Sequence, residues 1–184
     1  EHYVWPEDEM RKTQRIPRDV IDECIANTQA IADRCSVSIE TDGNHFPRYP
    51  TDDAARDVRN ICRSNWKELV PKDKYKEYAK RFEEEMVVLE KMDYLNYMLI
   101  VHDFLEFCYK NDIPVGVGRG SVGGCLVGYL MKLHRIDPIV HHTEFFRFAN
   151  PFRITNPDID TDLSTRHRGE IIRYIKDKYG MVAK

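Results

Sequence analysis

The sequence predicts an α+β fold, rich in helix, with a small sheet that carries paired aspartates. Three observations lead there. Apolar residues recur at helical spacing through most of the first 110 positions. A glycine-rich stretch, Gly116 to Gly124, then joins a short apolar run to a further helical pattern. Finally, Asp158, Asp160 and Asp162 alternate along a segment that reads as extended.

Composition bounds the reading. The chain has 184 residues, 42% of them apolar and 32% charged, which excludes a largely disordered chain. That length suits one core, or one domain with the tail of another. The longest apolar runs, such as Tyr97 to Val101, are too short to cross a bilayer, and no leading charged-then-apolar segment is present. No membrane association is expected. The formal net charge is −3. A free-standing DNA binder is usually basic, so this balance argues against a complete DNA-binding surface. It is compatible with a site that holds cations through carboxylates. The 5 cysteines are odd in number and lack zinc-site spacing, so they read as buried, reduced thiols.

In chain order, residues 1–16 are charged and without periodicity. Arg18 to Cys35 reads as a helix through Val20, Ile21, Ile25, Thr28, Ile31 and Ala32, with Pro17 ahead of its first turn. Ser36 to Glu40 alternates like a short strand, and Thr41 to Pro50 carries the glycine and prolines of a linker. The boundary is therefore placed at residue 50, giving 1–50 as the end of one domain with its linker and 51–184 as a second. Thr51 is the expected N-cap of a helix running to about Val70. Lys72 to Lys91 reads as a long helix with Tyr75, Phe82, Met86 and Leu89 on one face. Lys74, Glu77, Arg81, Glu84 and Glu85 read as its solvated face. Tyr94 to Lys110 is apolar nearly all round, so it is expected to be buried. Its aromatic residues Tyr94, Tyr97, Phe104, Phe107 and Tyr109 read as core rather than as base-stacking platforms. Ile113 to Val117 reads as a short strand, with a helix following the glycines to about Leu133. Thr165 to Tyr179 reads as a helix stopped by Gly180. His134, His141 and His142 fall in a polar connection and read as surface histidines. Arg166, His167, Arg168 and Arg173 fit either a phosphate-facing patch or a solvated helix surface.

A strand, a glycine loop and a helix in that order suit an anion. Gly118 and Gly120 allow close backbone approach and φ values closed to other residues. A helix start offers unpaired N–H groups. Ser121 stands at the expected N-cap, and Arg119 adds a guanidinium fork that matches phosphate. Neither the Walker pattern nor the dinucleotide fingerprint is met. A tight structural turn, with glycines for helix packing, remains the alternative. The aspartates point elsewhere in chemistry. Carboxylates two apart on a strand share a face, repel, and tolerate one another best around a cation. Hard oxygens favour Mg²⁺ or Mn²⁺. An exposed acidic strand is the plain alternative. Together, a phosphate cradle followed by alternating carboxylates is the layout of nucleotidyl transfer by two-metal catalysis.

From Tyr97 to Tyr179 the sequence resembles the palm of the bacterial C-family replicative polymerases, the DNA polymerase III alpha subunit. The resemblance is carried by Ile113-Pro114-Val115-Gly116, Gly118-Arg119-Gly120-Ser121, Asp137-Pro138, Arg147-Phe148, Asn150-Pro151, Pro157-Asp158-Ile159-Asp160-Thr161-Asp162 and Tyr179-Gly180. A fainter match upstream corresponds to the end of the polymerase-and-histidinol-phosphatase (PHP) region. The resemblance implies a partial, nucleotidyltransferase-like palm over 51–184. Asp158 and Asp160 would be catalytic metal ligands for two Mg²⁺ ions, with Mn²⁺ as a substitute. Gly118, Arg119, Gly120, Ser121 and Arg147 would bind the incoming dNTP, and Asp162 would lie outside the catalytic set. It further implies primer-template DNA, the remaining polymerase domains and other replisome subunits as partners, in the cytoplasm at the replication machinery. In the family, a third carboxylate and a triphosphate lysine follow later in the chain, so little or no activity is expected of these residues alone. Val117, Cys125, Phe146 and Asn156 depart from the family pattern and mark a divergent member, as from a phage or an unusual bacterium. A smaller nucleotidyltransferase of another family, or a split segment that assembles with the rest of a polymerase, stand as alternatives.

Overall fold

The computed structural model describes residues 6–12, 16–38, 47–152 and 157–180. The chain divides into two compact units, Glu1–Asn44 and His45–Lys184. The first contains α1 (Glu7–Met10) and α2 (Arg18–Arg34), the latter opening after Pro17. Of the apolar residues of α2, Ile21 is buried, whereas Val20 and Ile31 are exposed. Ser36 to Ser38 form no strand, and the remainder of that expected strand, with residues 41–46 of the linker, lies outside the described residues.

The second unit is built on three long helices, α3 (Ala54–Leu69), α4 (Tyr75–Lys91) and α5 (Leu95–Lys110). The cap of α3 is Asp53, which accepts the Arg56 N–H at 2.9 Å, and not the expected Thr51. Thr51 lies two residues outside and donates to the Asp57 carboxylate instead. Val58 and Cys62 of α3, Phe82, Met86 and Leu89 of α4, and Met98 and Leu99 of α5 meet in one core. Each fully buried side chain of this size contributes about 1.5–3 kcal/mol. Asn111 ends α5, where Asp112 takes a positive φ of 52°.

The helix expected from the glycines to Leu133 is broken. A 3₁₀ turn spans Ser121–Gly124, Cys125 is extended, and α6 covers only Leu126–Leu130. Glycine costs about 1 kcal/mol relative to alanine in a helix interior, and three of them here weaken any continuous helix. Packing supplies the second reason. A Cβ on Gly124 would stand 2.5 Å from the Glu144 carbonyl oxygen, so the backbones touch there. Lys132, at φ 57°, closes α6, with the Leu133 N–H on the Gly128 carbonyl at 2.9 Å. A 3₁₀ turn at Thr165–His167 leads into α7 (Arg168–Tyr179), which stops at Gly180 with φ 72°. Helix α7 lies on α5. Phe107 and Tyr174 stack at 4.1 Å between centroids, and Asp103 accepts from Lys178, Tyr174 and Tyr179 at 2.7, 2.8 and 2.8 Å.

Four expectations are corrected. Among the described residues there is no strand and no sheet, so the fold is helical rather than α+β. One antiparallel bridge, Val115 to Leu163, is all that forms between the two expected strands. Pro114 and Pro157 lack an N–H, the glycines at 116 and 118 offer no side chain to pack, and an isolated two-stranded ladder is marginal in water. The solvated face of α4 is not wholly solvated, since Glu85 has no exposed surface and pairs with Arg81 at 2.7 Å. His134 is buried rather than on the surface, unlike the exposed His141 and His142. Cys62, Cys108 and Cys125 are buried, but Cys24 and Cys35 are exposed; none forms a disulfide.

Candidate functional site

The aspartate segment is held from two sides. On one, the Tyr94 hydroxyl donates to the Pro157 carbonyl at 2.6 Å, and the Tyr97 side chain hydrogen-bonds the backbone of Ile159. Burial raises the Tyr97 hydroxyl above its usual pKa. The Ile159 contact opposes this, and the nearby charges of Asp158 and Asp160 add to the rise. Both carboxylates therefore lie within electrostatic reach of one phenol. On the other side, the Gly116 N–H donates to the Asp162 carbonyl at 2.9 Å beside the Val115–Leu163 bridge. These aromatic residues were legible as core. That two of them are tyrosines was the available signal for more, because a buried hydroxyl needs a partner.

The glycine turn packs against that segment. A Cβ on Gly116 would lie 2.9 Å from the Asp162 Cβ, and one on Gly120 would lie 3.1 Å from Asp160 Oδ2. Gly120 has φ 77° and Gly118 φ 102°, both in the region that favours glycine. Gly118 also backs onto the buried ring of His134, whose Cβ would be 2.4 Å from an added methyl. His134 accepts the Ile136 N–H at Nδ1 and contacts the Cys125 carbonyl through Nε2 at 3.0 Å, which fixes a neutral ring with its proton on Nε2. Burial lowers its pKa.

Arg119, between the two glycines, bridges the halves of the site. Its Nη2 lies 3.6 Å from Asp160 Oδ1 and its Nε 3.1 Å from Asp162 Oδ1. The structure thus brings together Gly120, Arg119 and Asp160. Asp158 is exposed and neighbours Tyr94 and Tyr97. Ser121 is half-buried and begins the 3₁₀ turn, where Gly120 occupies the cap position and no side-chain cap forms. The long helix whose dipole was to face an anion is absent, so loop N–H groups and Arg119 are what the turn offers. Arg147 is exposed at the end of the 3₁₀ turn Phe145–Arg147, and among the described residues no ion pair ties it to Asp158, Asp160 or Asp162.

Among the described residues no three His, Cys, Asp or Glu side chains converge into a metal cage. Mg²⁺ is often held by only one or two carboxylates, completed by water and by the phosphates of a bound substrate. Asp158 and Asp160, two residues apart and bearing hard oxygens, fit that shared kind of site. They do not fit a self-contained one.

Over residues 56–183 the sequence matches the family described as the bacterial DNA polymerase III alpha NTPase domain. It is similar to the DNA polymerase III alpha subunit of Halalkalibacterium halodurans, with 40% identity over 86% of this chain and 14% of that protein. The corresponding subunit of Helicobacter pylori is 39% identical over 98% of this chain and 16% of its own length. That of Escherichia coli is 35% identical over 87% and 15%. The chain therefore spans about a seventh of the length of the curated relatives it matches.

Proposed function

The chain belongs to the bacterial DNA polymerase III alpha family, and from that premise we propose that residues 51–184 form part of the palm of a DNA-directed DNA polymerase. The reaction is transfer of a nucleotidyl group from a dNTP to a primer 3′ hydroxyl. Asp158 and Asp160 are the metal ligands contributed by this chain. The turn through Gly118, Arg119, Gly120 and Ser121 receives the triphosphate, with Arg147 on the phosphate side. The observation that supports this reading best is the approach of Gly120 and Arg119 to Asp160.

Mg²⁺, when bound, would neutralise phosphate charge and favour ionisation of the attacking hydroxyl. What the chain's own residues do is geometric and electrostatic. Tyr94 and Tyr97 bond the backbone on either side of Asp158, which anchors the segment that carries Asp158 and Asp160. Gly118 and Gly120 leave room for a phosphate to approach the turn backbone. Arg119 is a cation of the turn that reaches the aspartate segment. Resting on Asp160 and Asp162, it offsets their repulsion, and it carries the fork geometry that matches phosphate oxygens. Pre-placed groups of this sort lower the cost of assembling charge at the reacting centre.

Partners follow from the same reading: primer-template DNA, a dNTP, and the rest of the polymerase, in one chain or in a second polypeptide, to complete the carboxylate set. No helix among the described residues is long and apolar enough to cross a membrane. Titration of Mn²⁺ followed by electron paramagnetic resonance tests the metal assignment. Loss of an outer-shell partner alone costs roughly 10–100-fold in metal affinity. Asp158→Ala/Asp160→Ala should therefore bind at least about tenfold more weakly than the parent, and equal affinity would refute the assignment.

A further inference from the structure

We propose that Arg81 and Glu85, on a helix remote in sequence from the glycine turn, are positioning residues that set where that turn stands. The proposal deepens the triphosphate reading above and rests on it for its functional consequence.

The turn hangs between two anchors. Upstream, the Gly116 N–H is held by the Asp162 carbonyl, and the Val117 carbonyl accepts the Arg135 N–H at 2.7 Å. Downstream, the chain is gripped by α4. Glu85 is fully buried, and its Oε2 accepts the Val127 N–H at 3.0 Å and the Cys125 thiol at 3.4 Å. Its Oε1 takes the Arg81 Nε at 2.7 Å. The same guanidinium reaches through Nη2 to the carbonyls of Gly124 at 3.1 Å and Thr143 at 3.4 Å. Thr143 in turn donates its hydroxyl to the Gly123 carbonyl at 2.9 Å.

An acid buried in this way is expensive unless every bond it makes is kept, and a hydrophobic pair of similar volume often serves stability as well or better. Here the bonds converge on Gly123 through Val127, the segment directly after Gly120 and Ser121. Arg81 contributes a geometry that a point charge cannot, because one planar fork spans Glu85 and the Gly124 carbonyl together. Neither residue hydrogen-bonds or ion-pairs with Asp158, Asp160 or the turn residues 118–121; the bonds of both go to Gly124, Cys125, Val127, Thr143 and each other. Their influence is exerted through the downstream anchor.

The test is residue-resolved amide hydrogen exchange on the 184-residue chain, with Arg81→Lys and Glu85→Gln compared with the parent, together with dATP binding in the presence of Mn²⁺. Lysine keeps a charge beside Glu85 but cannot span both contacts. In Arg81→Lys the amides of residues 118–127 should exchange at least tenfold faster, with those of α3 and α5 unchanged, and the dATP dissociation constant should rise severalfold. Unchanged exchange in the turn overturns the proposal whatever the nucleotide data show. Faster exchange throughout the chain also overturns it, since the pair would then support the fold in general. Should Glu85→Gln unfold, Arg81→Lys decides alone. A selective rise at the turn, with a parent chain that binds no dATP, would leave the positioning intact and refute the triphosphate reading.

Discussion

Alanine at Gly118 separates two costs that usually travel together. The first is conformational: Gly118 has φ 102°, and a side chain in the left-handed region costs about 1–2 kcal/mol. The second is steric. The added Cβ would stand 2.4 Å from the His134 Cβ and 3.2 Å from its Cα, which are backbone-proximal atoms that cannot swing aside. Forcing a methyl into a filled space of this kind costs about 1–3 kcal/mol. Gly118→Ala should therefore lose about 2–5 kcal/mol, a large share of the 5–15 kcal/mol typical of a domain. Gly180 supplies the internal control, with φ 72° and nothing within 4 Å of an added Cβ. Its alanine variant should pay the conformational cost alone, about 1 kcal/mol. Gly169, inside α7 and also open, should gain about 0.5–1 kcal/mol on the same change. Urea unfolding followed by circular dichroism, with the slope checked for constancy, measures all three. Gly118→Ala falling within about 0.5 kcal/mol of Gly180→Ala would show that His134 does not crowd the turn, and the packing argument would fail.

Two further outcomes are expected. Asp103→Asn should destabilise α7 against α5 by about 1–2 kcal/mol, because a largely buried carboxylate then gives up charge-assisted bonds to Lys178, Tyr174 and Tyr179. Although burial opposes it, those partners hold Asp103 below its usual value of 3.8, so their contribution is present above that pH and disappears as acid titration passes below it. A parent and an Asn variant that differ as much at pH 2 as at pH 7 would contradict this. For His134 the sign is also set by burial. Its folded-state pKa is lowered from 6.5, so the native state prefers the neutral ring, and stability present above pH 6.5 is lost as the pH falls below it. His134→Gln should flatten that part of the stability profile, and a difference profile without slope between pH 7 and 5 would count against the neutral assignment.

Parts of the site were readable residue by residue. Glycines at 118 and 120 were expected to take conformations closed to other residues, and both have positive φ. The alternation of Asp158, Asp160 and Asp162 predicts one shared face; one guanidinium reaches Asp160 and Asp162, while Asp158 is exposed beside Tyr94 and Tyr97. The guanidinium belongs to Arg119, which had been assigned to phosphate alone. Glu85 was misread although its position held the clue. Tyr78, Phe82, Met86 and Leu89 define the buried side of α4, and Glu85 falls three and seven residues from the first two of the stripe's members, Phe82 and Tyr78, within that side. Sorting by charge put it in water; sorting by spacing would have put it in the core. For His134 one ring partner, the Ile136 N–H, is local, whereas the other, the Cys125 carbonyl nine residues away, is supplied by packing.

By itself the sequence determined the long helices, their ends at Asn111 and Gly180, and the family, because periodicity, caps and motif order are written within neighbouring residues. Only the tertiary structure decided that Val115 and Leu163 pair once and build no sheet, that the helix after the glycines breaks at Cys125, and that an acid on α4 grips the turn. Those outcomes depend on which distant backbone groups come within bonding distance and on which charges lose their water. Both are properties of the packed chain, set by partners far along the sequence, such as Glu85 for Cys125 and Val127 and Glu144 for Gly124.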